Sequence, residues 1–311
     1  MIKDRIYKVY ILMKAWWRFV FVKQTVLEEW LEFFPEKNIC HAKIPKKIWI
    51  YWESMCENDL VNLCIENIID LHPDYEVNVL NKSNLKDYVE LPNFNKNIET
   101  AVIADYIRLS LLKDFGGIWL DASIFLVENL DWILKKMKSN QTFVFYSDEC
   151  TINKSLPIIE NWLIISEPNN IFINDWFEEF SKCFTSNDPK KYYKDYANKT
   201  DLIQNIGNTD YLMCYISAAI IMNKKQYNIL TVNSGSHGHY YNYFYISNGF
   251  IIALYLLIFS ENRENSPKLI KFTKETRNMT NLFLRKGFFS KKSTLGKIYH
   301  KKKFLIKKDK I

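Results

Sequence analysis

Ala104-Asp105-Tyr106-Ile107-Arg108, Gly116-Gly117 and Ile118-Trp119-Leu120-Asp121-Ala122-Ser123 together form the stretch that decides the fold of this chain. From Glu99 to Phe115 nearly every side is apolar, through Val102, Ile103, Ile107, Leu109, Leu111 and Leu112, which predicts a buried helix. Gly116-Gly117 ends that helix, because glycine takes left-handed cap conformations at little cost. Ile118 to Leu126 then reads as a strand, with Trp119, Asp121, Ser123 and Phe125 on one face and Ile118, Leu120, Ala122 and Ile124 on the other. Asp105 and Arg108 are three apart and share one side of the greasy helix. Burying a charge is expensive unless it is paired, so the two satisfy each other as a structural ion pair or serve a ligand.

Working outward, Ile44 to Trp52 has strand character, and Leu60, Leu63, Cys64, Ile68 and Leu71 recur at helical spacing until His72-Pro73-Asp74 stops them. Glu76 to Leu80 is a second short strand. Strand, helix, strand, helix, strand implies an α/β fold: a mostly parallel, Rossmann-like sheet flanked by helices, with ligands bound beyond the C-terminal ends of its strands. An acid and a hydroxyl, Asp121 and Ser123, stand at such an end and could hold a divalent ion or a ribose hydroxyl. Neither G-x-G-x-x-G nor a P-loop is present, so no glycine cradle holds a nucleotide. Later, Thr142 to Ser147 and Asn161 to Ser166 read as strands, and Ile171 to Phe184 and Asp210 to Met222 as helices. Three regions are expected: an N-terminal amphipathic helical segment (1–42), the α/β domain (43–260) and a basic C-terminal extension (261–311).

The chain has 311 residues, 48% hydrophobic and 25% charged, with 8 Gly and 8 Pro, which excludes disordered, collagenous and proline-rich classes. Its six cysteines show no C-x-x-C pair, as expected of reduced thiols in a cytoplasmic setting. Net charge is +7, yet the segment from Arg285 to Lys310 alone carries eleven Lys/Arg against Asp309, so the rest of the chain is mildly acidic. Such a tail is either a solvated end or a site for anionic lipid heads; no nucleic-acid partner is expected, because the lysines lack a recognisable fold motif. Residues 1–30 mix Ile6, Val9, Trp16 and Trp17 with Lys3, Arg5, Lys8, Lys14 and Arg18, too many charges for a membrane span. That mixture suits either the plane of a membrane interface or a helix packed on the body. Tyr240 to Phe259 lacks formal charge but is divided by Asn248 and Gly249, and reads as buried elements.

The run from Ala104 to Ser123 resembles the signature of the capsular polysaccharide synthesis family, relatives of the retaining sugar transferases with a DXD motif. Ile44-Pro45-Lys46-Lys47-Ile48-Trp49, the stretch from Asn67 to Val77, Asn161-Trp162 and Asp210-Tyr211 add to the likeness, which spans roughly Ile44 to Met222. The resemblance implies a GT-A-like fold and a nucleotide-diphosphate sugar donor, with a glycan or lipid-linked acceptor in bacterial surface polysaccharide synthesis. By position it implies Trp49 near the nucleotide base, and Asp105, Arg108, Trp119, Asp121 and Ser123 around ribose, sugar and diphosphate. Asp121, Arg108 and Asp210 would carry the catalysis. Manganese or magnesium is the implied cofactor, held by Asp121 and Ser123, although Ser123 stands where wider relatives have a second acid.

Each residue also has a plainer reading. Trp49 is by default a core aromatic, Asp210 a helix cap beside Thr209, and the pair His237 and His239, attractive as further metal ligands, a solvated loop. The alternatives to sugar transfer are transfer of a sugar phosphate and a non-catalytic scaffold in a glycan assembly complex. The expected location is cytoplasmic, peripheral on the inner face of the membrane through residues 1–30 and 286–310.

Overall fold

The computed structural model describes residues 2–21, 27–35, 43–53, 58–93, 98–186, 188–196, 198–245, 247–259 and 266–308. Strands are β1 (Trp30–Phe33), β2 (Lys47–Tyr51), β3 (Glu76–Leu80), β4 (Gly117–Leu120), β5 (Ile124–Leu126), β6 (Thr142–Tyr146), β7 (Ile159–Ser166), β8 (Ile229–Asn233) and β9 (Leu269–Lys271). Helices are α1 (Ile2–Phe21), α2 (Asp59–Leu71), α3 (Thr100–Phe115), α4 (Asp131–Leu134), α5 (Ile171–Thr185), α6 (Pro189–Lys194), α7 (Thr200–Ile203), α8 (Met213–Lys224), α9 (Tyr240–Phe244), α10 (Gly249–Ile258), α11 (Lys274–Arg285) and α12 (Thr294–Lys308).

Seven strands form one sheet in the order β1-β8-β6-β7-β4-β2-β3. The pairs β2·β3, β2·β4 and β6·β8 are parallel, and β1·β8, β4·β7 and β6·β7 are antiparallel, so the α/β sheet is mixed. Its strands alternate between two helical layers as a pleat requires. Ile48, Ile50, Ile118 and Leu120 pack with Val61 and Ile68 of α2, whereas Trp49, Tyr51 and Trp119 pack with α3, α5 and α8. Each fully buried side chain of this size contributes roughly 1.5–3 kcal/mol. Because α2 covers one face and α3 the other, the chain reverses its winding between β2 and β4. Trp52 and Asp121 follow the C-terminal ends of β2 and β4, the place where open α/β sheets take their ligands.

The long third strand does not form. It ends at Leu120, and Asp121 to Ser123 make a turn closed by Ile124 N–H donating to the Asp121 carbonyl (3.0 Å). The chain then leaves the main sheet, and β5 pairs antiparallel with β9. Phe125 therefore joins a third cluster, with Leu60, Cys64, Leu256, Ile270 and Leu284, and no longer shares a strand face with Trp119. In the expected C-terminal extension, the described residues pack on the body: β9 completes the small sheet, and Leu284, Leu295 and Tyr299 are buried in that third cluster. At the other end, α1 leaves Ile6, Tyr10, Met13, Trp16, Trp17 and Phe21 exposed, unlike a helix packed on the body. Among the described residues no helix is long and apolar enough to cross a membrane. The uncharged stretch from Tyr240 is divided between α9 and α10.

The turn from α3 into β4 depends on backbone that only glycine adopts cheaply. Gly117 has φ +96°, and a Cβ there would lie 2.6 Å from the Lys47 carbonyl oxygen. Gly287 has φ +72° with open space around it. Gly117→Ala is expected to lower stability by about 1–3 kcal/mol and Gly287→Ala by less, as read from denaturant midpoints of the two variants.

Candidate active site

The site assembles from Arg108, which the buried face of α3 carries into the sheet. Its Nη1 donates to the Asn161 carbonyl on β7 (2.8 Å) and lies 3.2 Å from Asp105 Oδ1. Its Nη2 donates to Asp121 Oδ1 (3.0 Å) just beyond β4. The guanidinium carbon sits 5.0 Å from the centre of the Trp119 ring. Trp119 Nε1 also donates to Asp121 Oδ1 (3.0 Å), as two residues on one face of an extended backbone allow. Asp105, Arg108, Trp119 and Asp121 are thus brought together as the sequence suggested. Asp121 is open enough to be reached, with 23% of its side chain exposed against 6% for Arg108.

Three contributors carry little sequence signal. Asn161 Nδ2 donates to Asp105 Oδ1 (2.9 Å), so β7 holds α3 at two points, by its backbone carbonyl on Arg108 and by this side chain on Asp105. Lys271 at the end of β9 donates from Nζ to Asp121 Oδ2 (3.0 Å), from 150 positions away. Arg277 on α11 stacks over Trp52, 5.2 Å from the ring centre, and lies within electrostatic reach of Asp121 and Tyr211. Tyr211, half exposed, feels Asp105, Asp121 and Arg108 in turn and marks the rim. Asn161 and Tyr211 belong to the stretches that carry the family likeness, and a lysine ending an apolar strand, as in Leu269-Ile270-Lys271, is the local hint of Lys271.

Electrostatics separate the two carboxylates. Burial raises the Asp105 pKa to about 6, with Arg108 opposing only in part. Burial acts on Asp121 in the same direction, but Lys271 and Arg108 outweigh it and hold that carboxyl below its usual range. Asp121 is therefore a firm anion, and Asp105 is poised near neutrality.

Several expected roles are not met. Trp49 is fully buried, donates from Nε1 to the Gly116 carbonyl (2.9 Å) and packs on Tyr88 and Phe115, so it is a core aromatic with no face left for a base. Trp52, three residues on and partly exposed, is the tryptophan just past the end of β2. Ser123 is buried and donates to the Phe272 carbonyl (3.2 Å). His237 is buried as well; its Nε2 faces Glu28 Oε1 at 3.2 Å, and its Nδ1 accepts from Lys268 N–H. His239 instead faces Glu160 Oε2 at 3.4 Å. The histidines are thus committed to two different carboxylates, and are neither a ligand pair nor a solvated loop. Asp210 does not cap α8, whose N-cap is Leu212; it stands half-buried in the turn beside Tyr211.

A divalent ion does not fit this donor set. Asp121 has Arg108 and Trp119 on one oxygen and Lys271 on the other, and Ser123 is spent on a backbone carbonyl. Among the described residues no group of three or more His, Cys, Asp or Glu could hold a metal ion. A separate hollow of about 440 Å³, lined by Tyr196, Lys199, Ile220 and Lys224, contains none of these residues.

The family described as "Capsular polysaccharide synthesis protein" matches residues 19–301. The curated "O-glycosyltransferase braB" of Annulohypoxylon truncatum is 27% identical over 161 residues, which are 45% of this chain and 38% of that protein. The chain therefore spans well under half the length of that relative. Among solved structures, the "PaToxG Glycosyltransferase" is 16% identical with a TM-score of 0.34, across 71% of this chain and 76% of that one. The apo-form glycosyltransferase GlyE of Streptococcus pneumoniae TIGR4 is 9% identical with a TM-score of 0.40, across 83% and 63%.

The raised pKa of Asp105 has a signature in stability. The folded chain keeps this proton up to about pH 6, whereas the unfolded chain releases it near its ordinary value of about 4. Stability from this group therefore falls as pH rises between those values and is level above them. In melting curves, Asp105→Asn should lose this decline, so that its Tm relative to the parent rises from about pH 4 to about pH 6.

Proposed function

The chain belongs to the capsular polysaccharide synthesis family, and from that premise and the site's geometry we propose that it is a glycosyltransferase. It moves a sugar from a nucleotide-diphosphate donor to a hydroxyl of a glycan or lipid-linked acceptor, in the assembly of a bacterial surface polysaccharide. The observation that carries the reading is the meeting of Asp105, Arg108 and Asp121 at the opening where the sheet reverses its winding. Open α/β sheets take ligands at that point, and a buried guanidinium held between carboxylates there fixes both acids and adds a positive charge.

In this reading the buried Asp105 holds a sugar hydroxyl and Asp121 orders the cations at the mouth. Trp52 packs on the core and carries Arg277 over its ring, and Tyr211 and Asp210 stand on the rim where the donor sugar meets the acceptor. The bond from the anomeric carbon to the diphosphate oxygen breaks with its electron pair on that oxygen, and the acceptor oxygen bonds to the same carbon. The acceptor's proton passes to the departing diphosphate. Positive charge prearranged around that oxygen is the largest lever available to such a site.

The test is turnover of a panel of nucleotide sugars by the purified chain, followed by release of nucleoside diphosphate and by product mass. Asp121→Asn should abolish most turnover. Arg108→Lys should cost about tenfold or more, because an ammonium cannot reproduce the fork. A panel with no turnover and no nucleotide binding would remove the enzymatic reading.

A peripheral place on the inner face of the membrane belongs to the same proposal. α1 exposes Trp16, Trp17 and Phe21, and its sequence carries Lys3, Arg5, Lys8, Lys14 and Arg18. Exposed aromatics with interleaved lysine and arginine suit the headgroup layer of an anionic bilayer. The C-terminal helix cannot be removed without disturbing the body, since Leu295 and Tyr299 belong to the core and Tyr299 donates to Asp59 (2.6 Å). Two variants should instead lower cosedimentation with phosphatidylglycerol vesicles relative to phosphatidylcholine: Trp16→Ala with Trp17→Ala, and Lys301, Lys302 and Lys303 together to Gln. Unchanged cosedimentation would exclude the membrane.

A further inference from the structure

Asp121 is the acid that the family resemblance would give to a metal, yet each of its oxygens already receives a cation: Arg108 on one and Lys271 on the other. Lys271 is itself enclosed. Its Nζ lies 5.3 Å from the centre of the Trp162 ring, and the buried Glu160 adds a second negative charge within reach. Arg277 is different. Its half-buried guanidinium is stacked on Trp52 and forms no hydrogen bond or ion pair among the described residues. A partly desolvated cation is costly unless an anion meets it, and the carboxylate acting on it is Asp121, which Arg108 and Lys271 already hold.

We propose that Lys271 and Arg277, with Arg108 behind them, are the diphosphate cradle of the donor site and supply the positive charge that a divalent ion would otherwise bring. The inference rests on the glycosyltransferase reading and deepens it. Arg277 lies 5.2 Å from the centre of the Trp52 ring, and its fork of donors suits phosphate oxygens. Lys271 has a flexible four-carbon stem, so its ammonium can turn from Asp121 Oδ2 toward a bound diphosphate. Asp121 then acts by holding Lys271 charged and in place, without chelating a metal. Both cations stay protonated as the anomeric bond breaks, and they neutralise the charge gathering on the leaving oxygen.

The experiment is calorimetric titration of the full chain with inorganic pyrophosphate, once in EDTA and once in manganese, for the parent, Lys271→Gln, Lys271→Arg and Arg277→Gln. Pyrophosphate should bind in EDTA. Lys271→Gln and Arg277→Gln should each weaken Kd by about tenfold or more, and Lys271→Arg should retain most affinity. Melting curves accompany each variant; should Lys271→Gln fail to fold, Arg277→Gln, which breaks no described ion pair, carries the test. Binding that requires manganese, or that both glutamine variants leave unchanged, overturns the cradle while nucleotide-sugar turnover still supports the transferase. Absence of binding in both buffers overturns the cradle, and if turnover is absent as well the transferase reading falls with it.

Discussion

One guanidinium holds three parts of this protein together. Arg108 rises from α3 and binds the backbone of β7, the carboxylate of its own helix and the carboxylate that follows β4. A buried arginine must find partners for nearly every donor, so its contacts fix how far α3 can slide over the sheet and where the turn after β4 points. Only its Nε lacks a partner among the described residues. The same contacts that make the helix fit the sheet leave Asp121 facing the opening with its charge set. Structure and site cannot be altered separately here, which is why a neutral replacement of Asp105 is more informative than a truncation.

Local sequence was enough for everything a local signal can encode. The apolar helix, the glycine pair and the acid two residues beyond Trp119 point to side chains that meet in the fold, because helical and extended periodicities survive there. The extended stretch after Leu120 misled for a physical reason: alternation predicts faces only while the strand continues, and pairing with β9 draws the chain into another sheet. Nothing between Ile118 and Leu126 reports a partner strand that lies beyond residue 260. Lys271 was invisible on the same ground, since its role exists only after β5 and β9 meet.

Aromatic residues show a second limit. Trp49 and Trp52 are both rich in surface and both lie near the end of β2, but the pleat sends Trp49 into the layer beneath α3, against Phe115 and Tyr88. Trp52 lies one residue past the strand, where the chain is leaving the sheet. The histidines failed similarly: spacing of two on a glycine loop permits convergence, yet Glu28 and Glu160 approach from opposite parts of the chain and separate them. Such pairings are decided by long-range packing, which residue spacing does not carry.

Charge is placed unevenly in this protein. Outside the terminal lysines the chain is net negative, so its overall field does not favour an anion. Arg108, Lys271 and Arg277 nevertheless gather around Asp121, two of them paired with it and the third over an aromatic face. Low-dielectric walls make such a cluster more effective than the same charges spread over a surface. Lys271 ends β9, which pairs with β5 directly after Asp121, so the docking of that strand is what sets the lysine against the carboxylate, while Arg277 arrives separately on α11.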